Sequence, residues 1–236
     1  MAAHNKLLAL LCSVLSGVSI ALAFIYPLTY WSAVLGFASA YLLIHMAYLS
    51  EGSYVLSYLA GIVAYATGVY WLVDTISIFG NFPYKLSLFL YCLYVLLDAS
   101  EFLFFAFFYR NLRPAIKAFP FLASVSFVLT ELTTFRIFPW QYAHSQAKVL
   151  PLIQFADVAG ALGVTFVVFF AAEILHSIVI ERKLRLAHAV GLLFIGCVLG
   201  YGVLRVDCFQ DGKYPTAKVA LIQGNISIPE KYNRYR

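Results

Sequence analysis

The polar residues that could do chemistry are few, and most lie inside or beside long apolar stretches. Asp98 and Glu101 are three positions apart, which places both carboxylates on one face of a helix. A charged side chain costs roughly 2.5 to 3.5 kcal/mol near the bilayer centre on insertion scales, so both should face the interior of a helix bundle or a membrane interface. They fit an ion or proton site of a transporter, or a structural pair held by Lys, Tyr or backbone groups. We favour the structural pair.

A second group of residues surrounds a Phe-Pro-Trp sequence. Glu131 lies a few residues before Pro139 and Trp140, and Gln146 follows in the same loop. Proline ends a helix and tryptophan prefers the membrane–water interface, so polar side chains here can point into a cleft open to lipid. We therefore predict that Glu131, Pro139, Trp140 and Gln146 bind substrate. The alternative is an interfacial anchor with a carboxylate at a helix end.

Covalent and metal chemistry have weaker signals. His144 could act as a general base, but no Ser or Cys nucleophile is visibly paired with it, and a solvated loop histidine is the simpler interpretation. The four cysteines show no CxxC or Cys/His ligand spacing, and three lie within apolar runs. We expect no metal site, no disulfide framework and no cofactor.

The composition of the whole chain indicates where these residues reside. Of 236 residues, 63% are hydrophobic and 11% are charged, against roughly 25% charged in an ordinary soluble domain. A water-soluble globule could not bury that much apolar surface. The net charge of +5 comes from Lys and Arg scattered between apolar runs, so we expect no nucleic-acid partner.

Seven apolar stretches are long enough to cross the hydrocarbon layer as helices, which takes about 20 residues. They are Leu7 to Tyr26, Trp31 to Leu49, Ser53 to Val73, Leu86 to Tyr109, Ala118 to Ile137, Leu152 to Ile180 and Leu186 to Leu204. The first resembles a signal peptide, with Ala21-Leu22-Ala23 as a cleavage pattern. Its length, and the spanning segment that follows at once, favour an uncleaved anchor.

The basic residues of the short connections predict the orientation. With the N-terminus in the cytoplasm, seven of them lie inside and three outside. The inner ones are Lys6, Arg110, Arg113, Lys117, Arg182, Lys183 and Arg185, and the outer ones are Lys85, Arg136 and Lys148. An odd number of spans then places the C-terminal tail in the periplasm.

The tail differs in character from the rest of the chain. Residues 205–236 are polar and contain a short apolar strand pattern from Lys218 to Asn225. A strand of this kind cannot satisfy its edges alone, so the rest of a domain should be missing or supplied by another chain. We predict a transmembrane helical domain over 1–204, then a linker and first strand over 205–236.

Several short motifs occur in an order that resembles a known family. In chain order they are Leu22-Ala23-Phe24, Pro27, Trp31, Gly61, Gly68, Tyr70-Trp71, Glu131, Phe138-Pro139-Trp140, Ser145-Gln146, Gln154, Asp157, Gly160, Gly163, Phe166, Val219 to Ile226, Pro229 and Lys231-Tyr232. Over nearly its whole length the chain resembles the N-terminal membrane part of apolipoprotein N-acyltransferase. It departs where the family has an arginine three residues after the glutamate, since Thr134 stands there and Arg136 follows two residues on. Ala143-His144 also replaces the family's Gly-Tyr, and the loop is one residue shorter.

The resemblance implies a fold and a reaction. The tail would be the first β-strand of a truncated nitrilase-like α/β domain. In the family, a glutamate, a lysine and a cysteine of that domain take an acyl chain from a phospholipid as a thioester and pass it to the N-terminal diacylglyceryl-cysteine of a lipoprotein. These three residues are expected downstream of Arg236, so the chain alone should be inactive.

The resemblance also implies membrane phospholipid as acyl donor and a lipoprotein N-terminus as acceptor, and we expect a monomer in the bacterial inner membrane. Two alternatives stay open. One is a non-catalytic membrane scaffold or lipid-binding protein, and the other is a polytopic transporter that uses Asp98 and Glu101.

Overall fold

The computed structural model describes residues 3–27, 29–116, 121–210 and 217–226. Within them it is helical throughout, with connections that are mostly short. The helices are α1 (Ala3–Ile25), α2 (Tyr30–Ser50), α3 (Tyr54–Gly68), α4 (Leu72–Gly80), α5 (Tyr84–Asp98), α6 (Glu101–Leu112), α7 (Leu122–Thr133), a 3-10 helix (Tyr142–Gln146), α8 (Leu150–Ile153), α9 (Ala156–Glu181) and α10 (Leu186–Gln210).

Five helical segments of the described chain are long and apolar enough to cross a membrane, or six if a bent pair counts as one span. The five are His4–Ile25, Tyr30–Ser50, Tyr84–Leu112, Ala156–Glu181 and Leu186–Cys208. The prediction of an all-α polytopic architecture agrees with this, whereas seven spans are not confirmed.

Two of the predicted spans are not confirmed, for different reasons. The predicted span Ser53 to Val73 is α3, which is followed by α4 after a bend of 58°. The predicted span Ala118 to Ile137 contains α7, whose 12 residues cover only about 18 Å of a hydrocarbon layer of roughly 30 Å. The hydropathy pattern predicts two continuous spans here, because hydropathy measures apolar content and does not show whether a helix is continuous. Residues 118–120 of the second stretch lie outside the described residues.

The predicted trailing strand is not confirmed. Residues 217–226 have no regular secondary structure and are exposed, and 227–236 lie outside the described residues. A strand is stabilised by pairing with a neighbouring strand, and the described part of this chain offers none.

Close packing of α1 against α2 and α3 forms the first half of the bundle. Ser16 and Ser39 bond each other's backbone, since each hydroxyl donates to the other residue's carbonyl oxygen, at 3.0 and 2.9 Å. Ser13 Oγ donates to the Leu56 carbonyl at 2.6 Å. At Gly17 an added Cβ would lie 2.5 Å from the Ala60 carbonyl oxygen, so only glycine permits this approach. Small residues and short hydroxyls thus replace bulky apolar packing, as is common between membrane helices.

The short helix α7 is held at its N-terminus by a carboxylate from another helix. Phe121, the residue before α7, carries no side-chain acceptor that could cap it. Glu173 of α9 supplies the acceptors instead. Its oxygens accept the backbone N–H groups of Ala123 and Ser124 at 3.0 and 3.2 Å and the Ser124 hydroxyl at 2.8 Å. This places a negative charge at the positive end of the helix dipole and fixes α7 along its axis.

Removing the carboxylate should destabilise the bundle. We expect Glu173→Ala to lower the free energy of unfolding by roughly 2 to 4 kcal/mol, because buried N–H and O–H groups lose their acceptors, and Glu173→Gln by roughly half as much. The measurement is SDS-induced unfolding in mixed micelles, followed by circular dichroism. As a matched control, Glu51→Gln alters an exposed glutamate and should change the free energy by less than about 0.5 kcal/mol. A Glu173→Ala variant as stable as wild type would contradict the role of Glu173.

Candidate functional site

The segment after α7 is folded into the bundle and does not lie on its surface. Tyr142 Oη donates to the Gly36 carbonyl of α2 at 2.9 Å, and Ser32 Oγ donates to the Ser145 carbonyl at 2.9 Å. The Ala143 N–H donates to Thr165 Oγ1 of α9 at 3.1 Å. A Cβ at Gly36 would overlap Ser145 Oγ, so the glycine allows the 3-10 helix to sit against α2. These contacts fix the loop that carries Trp140.

A cavity opens beside this loop, where α1, α3 and α7 end and α6 begins. It encloses about 440 Å³, counting its open mouth. Most of the lining is apolar or aromatic, and the polar side chains are two carboxylates, two tyrosines and a glutamine. The lining residues are Ile20, Ala21, Phe24, Ala64, Tyr65, Glu101, Phe102, Phe127, Glu131, Trp140, Gln141 and Tyr142.

Glu131 is the polar group of the cavity whose hydrogen bonding is incomplete. It is 7% exposed, and its Oε1 accepts the Tyr142 N–H at 2.7 Å. Oε2 is buried and makes no hydrogen bond of ordinary geometry within the described residues, although the Thr165 hydroxyl lies close enough to interact with the carboxylate. One carboxylate oxygen thus holds the loop, and the other is buried close to Thr165.

Glu101 is fully engaged within the protein. Its Oε1 accepts two hydrogen bonds from the Arg136 guanidinium, from Nε at 3.1 Å and Nη2 at 2.7 Å, and its Oε2 accepts from Tyr65 Oη at 2.7 Å. Both side chains of the ion pair are buried, with 9% and 8% exposed. Asp98 lies beside the hydroxyl of Tyr94 and near Arg136. These contacts support the structural interpretation of Asp98 and Glu101 over the transporter interpretation.

Trp140 forms one wall of the cavity. Its ring stacks on Phe24 with centroids 4.8 Å apart and planes 14° from parallel. The preceding Phe138 contacts Trp71 and Tyr94, at 5.8 and 5.7 Å between ring centroids. The end of α1 and the loop after α7 are therefore joined through aromatic rings.

The four predicted substrate-binding residues have separate positions. Glu131 and Trp140 meet in the cavity, whereas Pro139 and Gln146 do not line it. Pro139 is exposed on the loop. Gln146 is 4% exposed, and its Nε2 donates to the Ala33 carbonyl at 3.3 Å, so it attaches the loop to α2.

His144 lies away from the cavity and caps its own turn. Its Nδ1 accepts the Gln141 N–H at 3.3 Å, which requires this nitrogen to be unprotonated. Partial burial, and secondarily the positive charge of Arg136, lower the pKa of His144. The imidazole is therefore neutral at neutral pH. Its position agrees with the interpretation of His144 as a solvated loop histidine.

Sequence reasoning missed three residues that shape the site: Arg136, Tyr65 and Phe24. Arg136 had a usable signal, because a guanidinium within an apolar stretch must find an acidic partner inside the protein, and Glu101 was available. Phe24 belongs to the motif Leu22-Ala23-Phe24, which carries no role in the sequence analysis, and Tyr65 is one of many tyrosines, so only the packing assigns both to the site.

The lining contains no cysteine, lysine or serine. A mainly apolar cavity with a few convergent polar groups is typical of a ligand-binding site. The arrangement can thus bind and orient an amphiphile, but the described lining offers no nucleophile for covalent chemistry.

The comparisons with known proteins all point to one family. The model of the apolipoprotein N-acyltransferase N-terminal domain matches residues 16–174. Apolipoprotein N-acyltransferase of Geobacter metallireducens is 30% identical over 94% of this chain and 44% of its own length. Those of Vibrio cholerae and Rickettsia bellii are 28% and 25% identical over 94% and 97% of this chain. The chain spans 44% to 46% of the length of these relatives.

The buried ion pair next to the cavity allows a direct test of the site geometry. Arg136→Met leaves Glu101 as an unpaired buried charge and should lower the free energy of unfolding by about 3 to 5 kcal/mol. The double variant Glu101→Gln with Arg136→Met removes both charges and should recover most of that loss. SDS-induced unfolding measures all three proteins. If the double variant were as unstable as the single one, the two side chains would not be coupled as described.

Proposed function

The chain belongs to the apolipoprotein N-acyltransferase family, and we propose that it forms the membrane part of an enzyme that moves an acyl chain from a phospholipid to the N-terminal diacylglyceryl-cysteine of lipoproteins. The family match over residues 16–174 carries this proposal. The membrane part would anchor a nitrilase-like domain that contains the catalytic glutamate, lysine and cysteine. By itself it would not catalyse acyl transfer.

The connectivity of the helices supports this arrangement. The cavity lies where α1, α3 and α7 end, and the loop that carries Trp140 leads through the 3-10 helix and α8 to the start of α9. Since α9 crosses away and α10 returns, the chain leaves α10 on the cavity side. The Arg205–Asp157 contact, at 2.9 Å, joins the last part of α10 to the first turn of α9 and agrees with this. A domain that follows residue 226 would then lie on the same side of the membrane as the cavity.

We further propose that the cavity is the entrance through which lipid reaches that domain. Its position beside an interfacial tryptophan and its mainly apolar lining suit an acyl chain with a polar head group. The second candidate function is a non-catalytic lipid-binding protein, which the absence of a nucleophile from the described lining favours. The DNA beyond codon 236 separates the two, because an enzyme requires a frame that continues into a domain with the three catalytic residues.

The entrance hypothesis predicts a specific activity defect. In the complete gene product, Trp140→Ala should lower lipoprotein N-acylation roughly 3- to 10-fold, because the wall formed with Phe24 is lost, without unfolding the bundle. The assay is restoration of N-acylation in a strain depleted of its own enzyme. Trp31→Ala is the matched control, since Trp31 is 72% exposed and does not line the cavity. An unchanged rate with Trp140→Ala would reject the entrance, and a wild-type product that restores no acylation would reject the enzyme.

The proposed orientation places the N-terminus in the cytoplasm and the tail in the periplasm. After replacement of the four native cysteines by alanine, Lys218→Cys should react with an impermeant maleimide added to intact spheroplasts. Lys183→Cys, which is exposed in the connection between α9 and α10, should react only after the membrane is opened. The reverse pattern would overturn the orientation.

A further inference from the structure

The segment between α3 and α5 exposes an apolar surface that the described residues do not cover. Its helix α4 packs mainly against α5 and carries one charged residue, Asp74. Six aromatic or aliphatic side chains of the segment are 41% to 62% exposed: Tyr70, Trp71, Ile78, Phe79, Phe82 and Tyr84. Exposed apolar side chains concentrated in one segment indicate contact with another protein or with a membrane.

The bend between α3 and α4 lies close to one end of the membrane spans. A Cβ added to Gly68, the last residue of α3, would lie 3.5 Å from the Ala21 Cα. Ala21 is four residues before the end of α1 at Ile25, which corresponds to about 6 Å. The span of α1 has 22 residues and is about 33 Å long, close to the roughly 30 Å of the hydrocarbon layer. The bend is therefore about one helical turn from the membrane interface at the end of α1.

The direction of α4 keeps this helix near that level. Its nine residues are about 13 Å long, and α4 is bent by 58° from α3. It therefore rises only about 7 Å along the direction of α3, whereas an unbent helix of the same length would rise by the full 13 Å.

The backbone at both ends of α4 is bonded within the segment. The Leu72 N–H donates to the Val69 carbonyl at 3.0 Å, and Ser77 Oγ donates to the Phe82 carbonyl at 3.2 Å. Internal partners reduce the need of the helix ends for water. Such a helix can lie in the poorly hydrated zone between water and hydrocarbon.

A polar and an apolar side chain lie on different sides of α4. Asp74 is exposed and makes no ion pair within the described residues, so water or lipid head groups must solvate it. Phe79 follows five residues later, about 140° further round the helix, and is also exposed. If Asp74 faces water, Phe79 points towards the hydrocarbon.

We propose that α4 is an interfacial helix that inserts Phe79 among the acyl chains of one leaflet and holds Asp74 among the head groups. In the proposed orientation this is the outer leaflet. The neighbouring helix α5 begins a membrane span and exposes Leu86, Phe89 and Leu93, so the surface of α4 adjoins a helix that lipid covers. The inference applies equally to an acyltransferase and to a lipid-binding protein.

Two other arrangements fit the segment less well. In a broken span, α4 would lie wholly within the hydrocarbon, and Asp74 would have nothing to solvate it. A following domain that covered α4 from the aqueous side would remove Tyr70 and Trp71 from the membrane interface, which these residue types favour. Anionic lipid has no particular advantage, because α4 contains no Lys or Arg.

Nitroxide labels on single cysteines measure the depth of α4 in phosphatidylcholine vesicles. The 236-residue chain with its four native cysteines replaced by alanine carries one label at a time. Electron paramagnetic resonance then compares the accessibility of the label to oxygen and to a nickel chelate. The label at Phe79→Cys should lie roughly 5 to 10 Å into the boundary between head groups and acyl chains. The label at Asp74→Cys should lie at the head groups and be more accessible to the chelate.

Two matched labels calibrate the measurement. Leu93→Cys is the deep reference, because Leu93 is exposed on α5 and lies about 13 Å further along the span than Tyr84. Lys183→Cys, in the connection between α9 and α10, is the aqueous reference. Should Phe79→Cys not fold in the SDS assay, Ile78→Cys replaces it, and its label should lie between those at positions 74 and 93.

The outcomes distinguish the three arrangements. A label at Phe79→Cys that is as accessible to the chelate as the Lys183→Cys label overturns the inference and favours a covering domain. Labels at positions 74 and 79 that both lie as deep as the Leu93→Cys label overturn it in favour of a broken span. The depth should not change when phosphatidylglycerol is added to the vesicles. Insertion that required this anionic lipid would contradict an apolar attachment.

Discussion

A polar group inside a bundle of apolar helices must find its partner within the protein, because the hydrocarbon around it offers none. This constraint explains the three carboxylates that organise the second half of the structure. Glu173 is satisfied by the N-terminus of α7, Glu101 by Arg136 and Tyr65, and Glu131 by the Tyr142 N–H through one oxygen. The bonds of Glu173 and Glu101 join segments that are distant in the chain, and the bond of Glu131 joins α7 to the loop that follows it.

Two of these contacts help to position the segments that border the cavity. Glu173 fixes the start of α7, and Glu131, near the end of α7, fixes the loop that follows. The loop is then attached to α2 through Ser32 and Gly36 and to α1 through the stacking of Trp140 on Phe24. The cavity lies between these segments, so polar contacts and the stacking of Trp140 on Phe24 together position its walls.

Membership of the family and the geometry of the helices give two different kinds of information about the chain. The family relates the chain to acyltransferases more than twice its length, and in the fold the last part of α10 contacts the first turn of α9 through Arg205 and Asp157. A cavity without a nucleophile in its described lining fits a membrane part whose chemistry would reside in a following domain, and it fits a lipid-binding protein equally.

The sequence by itself determined the class of protein, its helical architecture and its family. The reason is that hydropathy and motif order are properties of residue types, which do not depend on how the helices pack. It also singled out Glu131 and Trp140 by residue type at the end of an apolar stretch, and both line the cavity. It could not tell that α3 and α4 bend apart, or that α7 is too short to span alone, because helix continuity depends on local backbone geometry. Only the tertiary structure showed that Gln146 holds the loop to α2 and that Arg136 neutralises Glu101. The partner of a buried polar group can lie far away in the chain. The spacing of residues along the chain does not show which distant residues come into contact.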